Sequence, residues 1–207
     1  MENYNSILLD VSDKILSVLS GLSSYRSPYA RTIGDPTEIL NTLATKAAIQ
    51  AAASSSVLSF PGGVWGTVAL APEVFLTMRI QGKLVKDIAA LYGKEARVTE
   101  EMMAYCLFGD RTSFFKNLLR ETGTRVLVRP STWELLGTCI RKIAESMTGS
   151  GRSGRNSRKR FFPFLGALVS GGLTFTETRR IAERAKALFS KEILEITEGE
   201  VWSQELA

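Results

Sequence analysis

Residues 46–93 read KAAIQAAASSSVLSFPGGVWGTVALAPEVFLTMRIQGKLVKDIAALYG, and the reading of this stretch decides the fold. From Ala47 to Met78 its one charge is Glu73, and Pro61-Gly62-Gly63 divides the run near its middle. A membrane-crossing helix needs about 20 consecutive apolar residues. The run is long enough, but Ser54-Ser55-Ser56 and Pro61-Gly62-Gly63 interrupt it. Each half, 47–60 or 64–78, is too short to cross a bilayer at about 1.5 Å per residue. The favoured expectation is two fully buried helices joined by a tight Pro-Gly-Gly turn. Ala47, Ala48, Ala51, Ala52 and Ala53 would let a partner helix approach closely. A re-entrant hairpin dipping into a membrane and a true span are the alternatives.

The second half runs on into the clearest periodicity in the chain. Leu76, Ile80, Leu84, Ile88 and Leu91 recur three or four residues apart, which makes one apolar helix face. Val74, Met78, Val85 and Tyr92 broaden it. Arg79, Lys83 and Lys86 form a basic stripe on another side. Gly93 stands where a helix ends on positive φ without a Cβ clash.

Near the other end, Phe162-Pro163-Phe164-Leu165-Gly166-Ala167 is followed by Gly171-Gly172, then by Ala182 to Ala187 and Phe189. These residues, with the apolar Pro-Gly segment, the Pro72-Glu73 step, Gln81, Val85, Ile88-Ala89 and Tyr92-Gly93, resemble the EcsC protein family. The two matches bracket residues 46–190, most of the chain. Their glycines, prolines and small apolar residues make motifs of moderate specificity. Two departures stand out. The basic segment before Phe161 is richer than the family's pattern, and Pro72-Glu73 replaces a more usual Pro-Asp. The resemblance implies a cytoplasmic or membrane-peripheral protein, with some members linked to ABC-transporter systems. It implies no catalytic residue that can be carried over.

Length and composition bound the rest. A chain of 207 residues with 44% hydrophobic residues is expected to form one domain with a substantial core. The net charge of +5 favours an anionic partner. The chain has no His, which lowers the case for acid–base or zinc chemistry near neutral pH. Cys106 and Cys139 are too few and too isolated for a metal site or disulfide framework, and read as buried free thiols in a reducing compartment. The start, MENYNSILLD, lacks the basic region of an export signal.

In chain order, a first helix is expected over about 5–22, with Leu8, Val11, Ile15, Val18 and Leu22 in one row, and Ile7 and Leu19 beside it. A linker follows to Asp35. Asp35-Pro36-Thr37-Glu38 makes a helix start, with Asp35 as cap, Pro36 at the first position and Glu38 closing a capping box. Thr99 caps a short helix through Met102, Met103, Leu107 and Phe108. Asp110 starts another, carrying Phe114, Phe115, Leu118 and Leu119 and ending at Gly123. Residues 124–130 alternate Val126 and Val128 with arginines; a loop is favoured over a strand, because no partner strand is evident. Ser131-Thr132-Trp133-Glu134 caps a helix with Leu135, Leu136, Cys139, Ile140 and Ile143. Residues 149–160, GSGRSGRNSRKR, hold no apolar residue and are expected to be a mobile surface loop. Thr174 and Glu177 are expected to cap a last helix with Ile181, Ala185 and Leu188 inward, beside Ala182 and Phe189. Glu192, Glu195, Glu198 and Glu200 give an acidic tail.

The expected fold is therefore all-α: a single-domain helical bundle with two Gly/Pro-bent apolar helical hairpins and seven to nine helices, its core over about 36–195. The sharpest functional feature is Arg152, Arg155, Arg158, Lys159 and Arg160 set against Phe161, Phe162 and Phe164. Such a segment suits an anionic membrane surface at about 1 kcal/mol per charge; a plain solvated loop is the competing reading. A nucleic-acid partner for 152–160 ranks lower, since aromatics are not interleaved with the basic residues. Gly149 to Gly154 mimics G-x-G-x-x-G but follows a helix and opens none, and no Walker motif is present. The carboxylates Glu73, Asp87 and Asp110 are scattered. Glu73 reads first as a charge favoured by the helix dipole, and second as a functional acid of a hydrolase-like site at Pro72-Glu73. No cofactor, metal site or catalytic residue is expected. The leading expectation is a non-enzymatic module that binds an anionic membrane surface or a membrane-protein partner.

Overall fold

The computed structural model describes residues 2–58, 72–109, 119–122, 124–128, 133–148 and 171–195. Helices α1 (Glu2–Ser23), α2 (Thr37–Leu58), α3 (Pro72–Leu91), α4 (Glu100–Phe108), α5 (Trp133–Thr148) and α6 (Gly171–Phe189) account for most of them. The remainder includes a 3-10 turn at Glu95–Arg97 and strands β1 (Leu119–Thr122), β2 (Arg125–Val128) and β3 (Glu192–Glu195). The chain is an all-α domain carrying one small sheet.

Local chemistry sets the helix ends. Asp35 Oδ1 accepts the Thr37 backbone N–H at 3.0 Å and the Thr37 hydroxyl at 2.6 Å, which holds its carboxyl below the usual range. Pro36 supplies the carbonyl for Leu40 N–H at 2.9 Å. Thr99 caps α4 by accepting from Met102 N–H. Gly93, at φ +69°, closes α3: its N–H reaches Ala90 O at 2.8 Å while Lys94 N–H reaches Ala89 O at 2.8 Å. That bond pair is the Schellman arrangement, and it needs the left-handed residue that glycine provides.

The helices share one core. α2 lies against α6 and α3, α1 against α5 and α3, and α4 fills the angle between α1, α3 and α6. Gln81 of α3 meets Thr178 of α6, and further along Lys94 meets Phe189, so α3 and α6 run parallel. Lys186, near the end of α6, reaches Thr37 at the start of α2, so α2 runs antiparallel to them. Ile15, Val18, Leu19 and Leu22 of α1 join Leu84, Ile88, Met102, Ile140, Ile181, Leu188 and Phe189 in a continuous apolar cluster.

Several expectations change. α2 is not fully buried: Ala47, Ala48 and Ala51 face inward, but Ile49 is 57% exposed and Ala53 is also outside. Leu76 is 44% exposed, while Met78, Leu84, Ile88 and Leu91 make the inward apolar face of α3. Lys86 is buried and does not belong to a solvated stripe with Arg79 and Lys83. Thr174 lies inside α6, whose first residue is Gly171, and so is not its cap. Residues 119–122 are a strand, not the end of a helix, and 125–128 are a strand, not a loop. β2 pairs antiparallel with β1 and parallel with β3, which is the start of the expected acidic tail. The bend at Pro61-Gly62-Gly63, the segment around Pro163, residues 110–118 of the helix expected to run from Asp110 to Gly123, and the loop 149–160 lie outside the described residues. α2 and α3 nonetheless pack together as the two arms of a hairpin would.

Candidate functional site

Polar groups buried in this bundle collect along α3. One of them is Lys86 in the C-terminal half of the helix, and the half-buried Lys94 follows just past its end. Lys86 is 3% exposed, and its ammonium donates to the carbonyls of Leu22 at 3.1 Å, Ser23 at 3.0 Å and Tyr25 at 2.5 Å. These carbonyls close α1, where the helix dipole places negative potential. Burial pushes the Lys86 pKa down, but three carbonyl acceptors give the charged form its compensation. Lys94 repeats the device on α6, donating to Phe189 O at 2.8 Å and to Lys191 O. Burial and neighbouring Arg97 lower its pKa. Arg97 adds a bond to Ile193 O at 3.3 Å.

Beside Lys86 the linker after α1 is strapped to α3. The Tyr25 hydroxyl donates to Asp87 Oδ1 at 3.1 Å, and Lys83 stands 5.2 Å above the Tyr25 ring. Ser27 N–H donates to Glu95 Oε1 at 2.7 Å, and Thr32 N–H to Leu91 O at 3.0 Å. Burial raises the Asp87 pKa, partly offset by hydrogen bonds from Ser27 and Tyr25, while Glu95 adds repulsion and Lys83 attraction. Burial, reinforced by Asp87, pushes the Tyr25 phenol up to about 12. Asp87 is thus a half-buried carboxylate tied to a phenol, and it works as a fastening of the linker.

Towards the N-terminal end of α3 and α6 lies a second polar group. Gln81 donates its amide to Thr178 Oγ1 at 3.0 Å, and the Thr178 hydroxyl donates to Thr174 O at 2.8 Å. Thr77, Gln81, Thr174 and Thr178 are all buried, and the Thr77 hydroxyl has no hydrogen-bond partner. Nearby, Glu177 accepts from Arg184 at 3.0 Å.

Most of the residues that the sequence singles out lie outside the described part of the structure. Arg152, Arg155, Arg158, Lys159, Arg160, Phe161 and Phe162 lie outside the described residues. Glu73 is the second residue of α3, directly after Pro72 at the first position; its side chain is outside what is described. Asp87 is placed, as above. Both cysteines are buried free thiols, and burial pushes the Cys106 thiol up to about 12. Among the described residues no group of three His, Cys, Asp or Glu stands together as a metal site, and no helix is long and apolar enough to cross a membrane. Sequence reasoning missed the inward turn of Lys86. Its signal was the row Gly82, Lys86, Ala90: two small residues one turn either side leave room for a long side chain to pass inward. Comparison of the chain with family models, curated proteins and solved structures returns no match.

Proposed function

We propose that the protein is a non-enzymatic, membrane-peripheral interaction module of EcsC type, cytoplasmic and acting at the inner face of the membrane. In this reading it binds an anionic membrane surface, or a membrane-protein partner such as a component of an ABC-transporter system. One observation carries the proposal: five of the nine residues 152–160 are cationic, and Phe161-Phe162 follow at once. Cations held by anionic headgroups, next to aromatic side chains that enter the interface, form a two-part anchor. Lys86, Lys94 and Asp87, in contrast, are committed to fastening helices and the linker.

Co-flotation of the purified protein with liposomes tests this, with and without anionic lipid, at low and high salt. Binding that needs anionic lipid and weakens with salt is the expected result. The variant with Arg152, Arg155, Arg158, Lys159 and Arg160 all changed to Ser should lose it. Protein that stays with the soluble fraction under every condition would overturn the membrane reading. Retention on DNA with a steep salt dependence, and no flotation, would favour nucleic acid instead.

A further inference from the structure

The two ends of the α3–α6 interface are built differently. At the C-terminal end the facing helices carry Val85, Ile88 and Ala89 on α3 and Ile181, Ala185, Leu188 and Phe189 on α6, each buried to within a few per cent. Lys94 fastens this end by donating to Phe189 O. Towards the N-terminal end, among the residues whose side chains are described, four buried residues beside Met78 are polar. Thr77 and Gln81 are one turn apart on α3, and Thr174 and Thr178 are one turn apart on α6. Because the helices run parallel and Gln81 meets Thr178, Thr77 stands level with Thr174. Here Gln81 donates to Thr178 across the helices, and among the described residues the buried Thr77 hydroxyl has no partner.

A buried hydroxyl without a partner costs roughly 1–3 kcal/mol relative to a hydrated one. Replacing apolar packing by a partly satisfied polar network also weakens an interface, since water competes for its bonds once it parts. Closure is thus strongly favoured at one end and weakly at the other.

We propose that α3 and α6 form a clasp hinged at its C-terminal end. The end lined by Thr77, Gln81, Thr174 and Thr178 parts reversibly and takes up water, while the end held by Lys94 and the apolar cluster stays shut. The opening belongs to the folded protein and needs no lipid, so it stands apart from the membrane reading. It offers that reading a regulated step, because α3 and α6 begin at this end.

Thiol labelling tests the clasp. Thr77→Cys replaces a 1%-exposed side chain that loses no hydrogen bond. Val85→Cys places a thiol at a 0%-exposed site two turns along the same helix. Cys106, also 0% exposed, reports global unfolding within each variant. Without lipid or denaturant, the thiol at position 77 should label at least tenfold faster than both the thiol at 85 and Cys106. Adding Gln81→Leu and Thr178→Val, which makes the seam apolar, should slow labelling at 77. Equal rates at 77, 85 and 106 would mean that the seam opens only when the whole protein unfolds, and would overturn the proposal. If the triple variant does not fold, the comparison of 77, 85 and 106 in the single variants still decides. Flotation fails or succeeds independently of this result.

Discussion

Gly82 of α3 presses against Leu22 of α1: a Cβ built on Gly82 would stand 2.2 Å from Leu22 Cδ1 and 3.1 Å from Cδ2. Leu22 is 3% exposed and packed into the core, so its tip has little room to retreat. The close approach also brings the end of α1 within reach of Lys86.

Gly82→Ala therefore sets two effects against each other. Alanine is the better helix former by about 1 kcal/mol. Overpacking a filled site costs about 1–3 kcal/mol. The clash should win, giving a net loss of stability in urea unfolding. Leu22→Ala alone should cost about 2–5 kcal/mol. In the double variant the added methyl fills space that Leu22 vacates, so the combined loss should fall short of the sum by about 1 kcal/mol or more.

Lys86→Met keeps the length of the side chain and removes the ammonium. The carbonyls of Leu22, Ser23 and Tyr25 then lose their shared donor. A loss of about 2–4 kcal/mol is expected, as for a buried charged hydrogen-bonding group removed from its partners. Hydrogen exchange should show the last turn of α1 and the linker up to Tyr25 opening earlier than α5 and α6.

The Asp87 carboxyl has its folded pKa raised, chiefly by burial. Its unfolded value is about 3.9. In the window above that value the folded state holds its proton more tightly than the unfolded state. The stability contribution of Asp87 is thus fully present below the unfolded pKa and is lost as pH rises through the folded pKa. Asp87→Asn keeps an oxygen for the Tyr25 hydroxyl and removes the titration. Relative to wild type, the variant should gain stability between pH 4 and pH 7 in urea titrations. A difference that is flat or of opposite slope would show that the carboxylate is not disfavoured at this site.

Gly93→Ala puts a side chain at φ +69° and its Cβ 2.8 Å from Arg31 Cδ. The left-handed conformation costs a non-glycine residue about 1–2 kcal/mol. A loss of at least that size is expected in thermal unfolding, with α3 intact in far-UV circular dichroism below the midpoint.

The helices were legible where several turns repeat one spacing. Ile15, Val18 and Leu22, then Leu84, Ile88 and Leu91, then Ile181, Ala185 and Leu188 all point inward as their periodicity required. Caps at Asp35 and Thr99 and the glycine stop at 93 were also readable, because each is a local reaction between side chain and backbone. The sheet was not. Its strands have four residues each, too few for a period of two to stand out from a helical turn. β3 also reaches β2 from 67 positions away, pairing Arg125 with Glu192. The polar seam was hidden for a related reason: Gln81 and Thr178 acquire meaning only when α3 and α6 lie side by side. The basic segment was plain in composition, and composition carries no geometry.

Among the described residues β3 stands at one margin of its sheet, beside β2. Glu192 N–H points to the O of Thr124, which directly precedes β2, so the backbone of 191 and 193 points the other way. Lys94 and Arg97 occupy those two outward carbonyls. An incoming strand would find these two acceptors already taken and two positive charges in its path. Both features oppose further growth of the ladder on that side. The side chains that tie the end of α6 to the segment after α3 thereby also guard a short edge strand against chain-to-chain stacking.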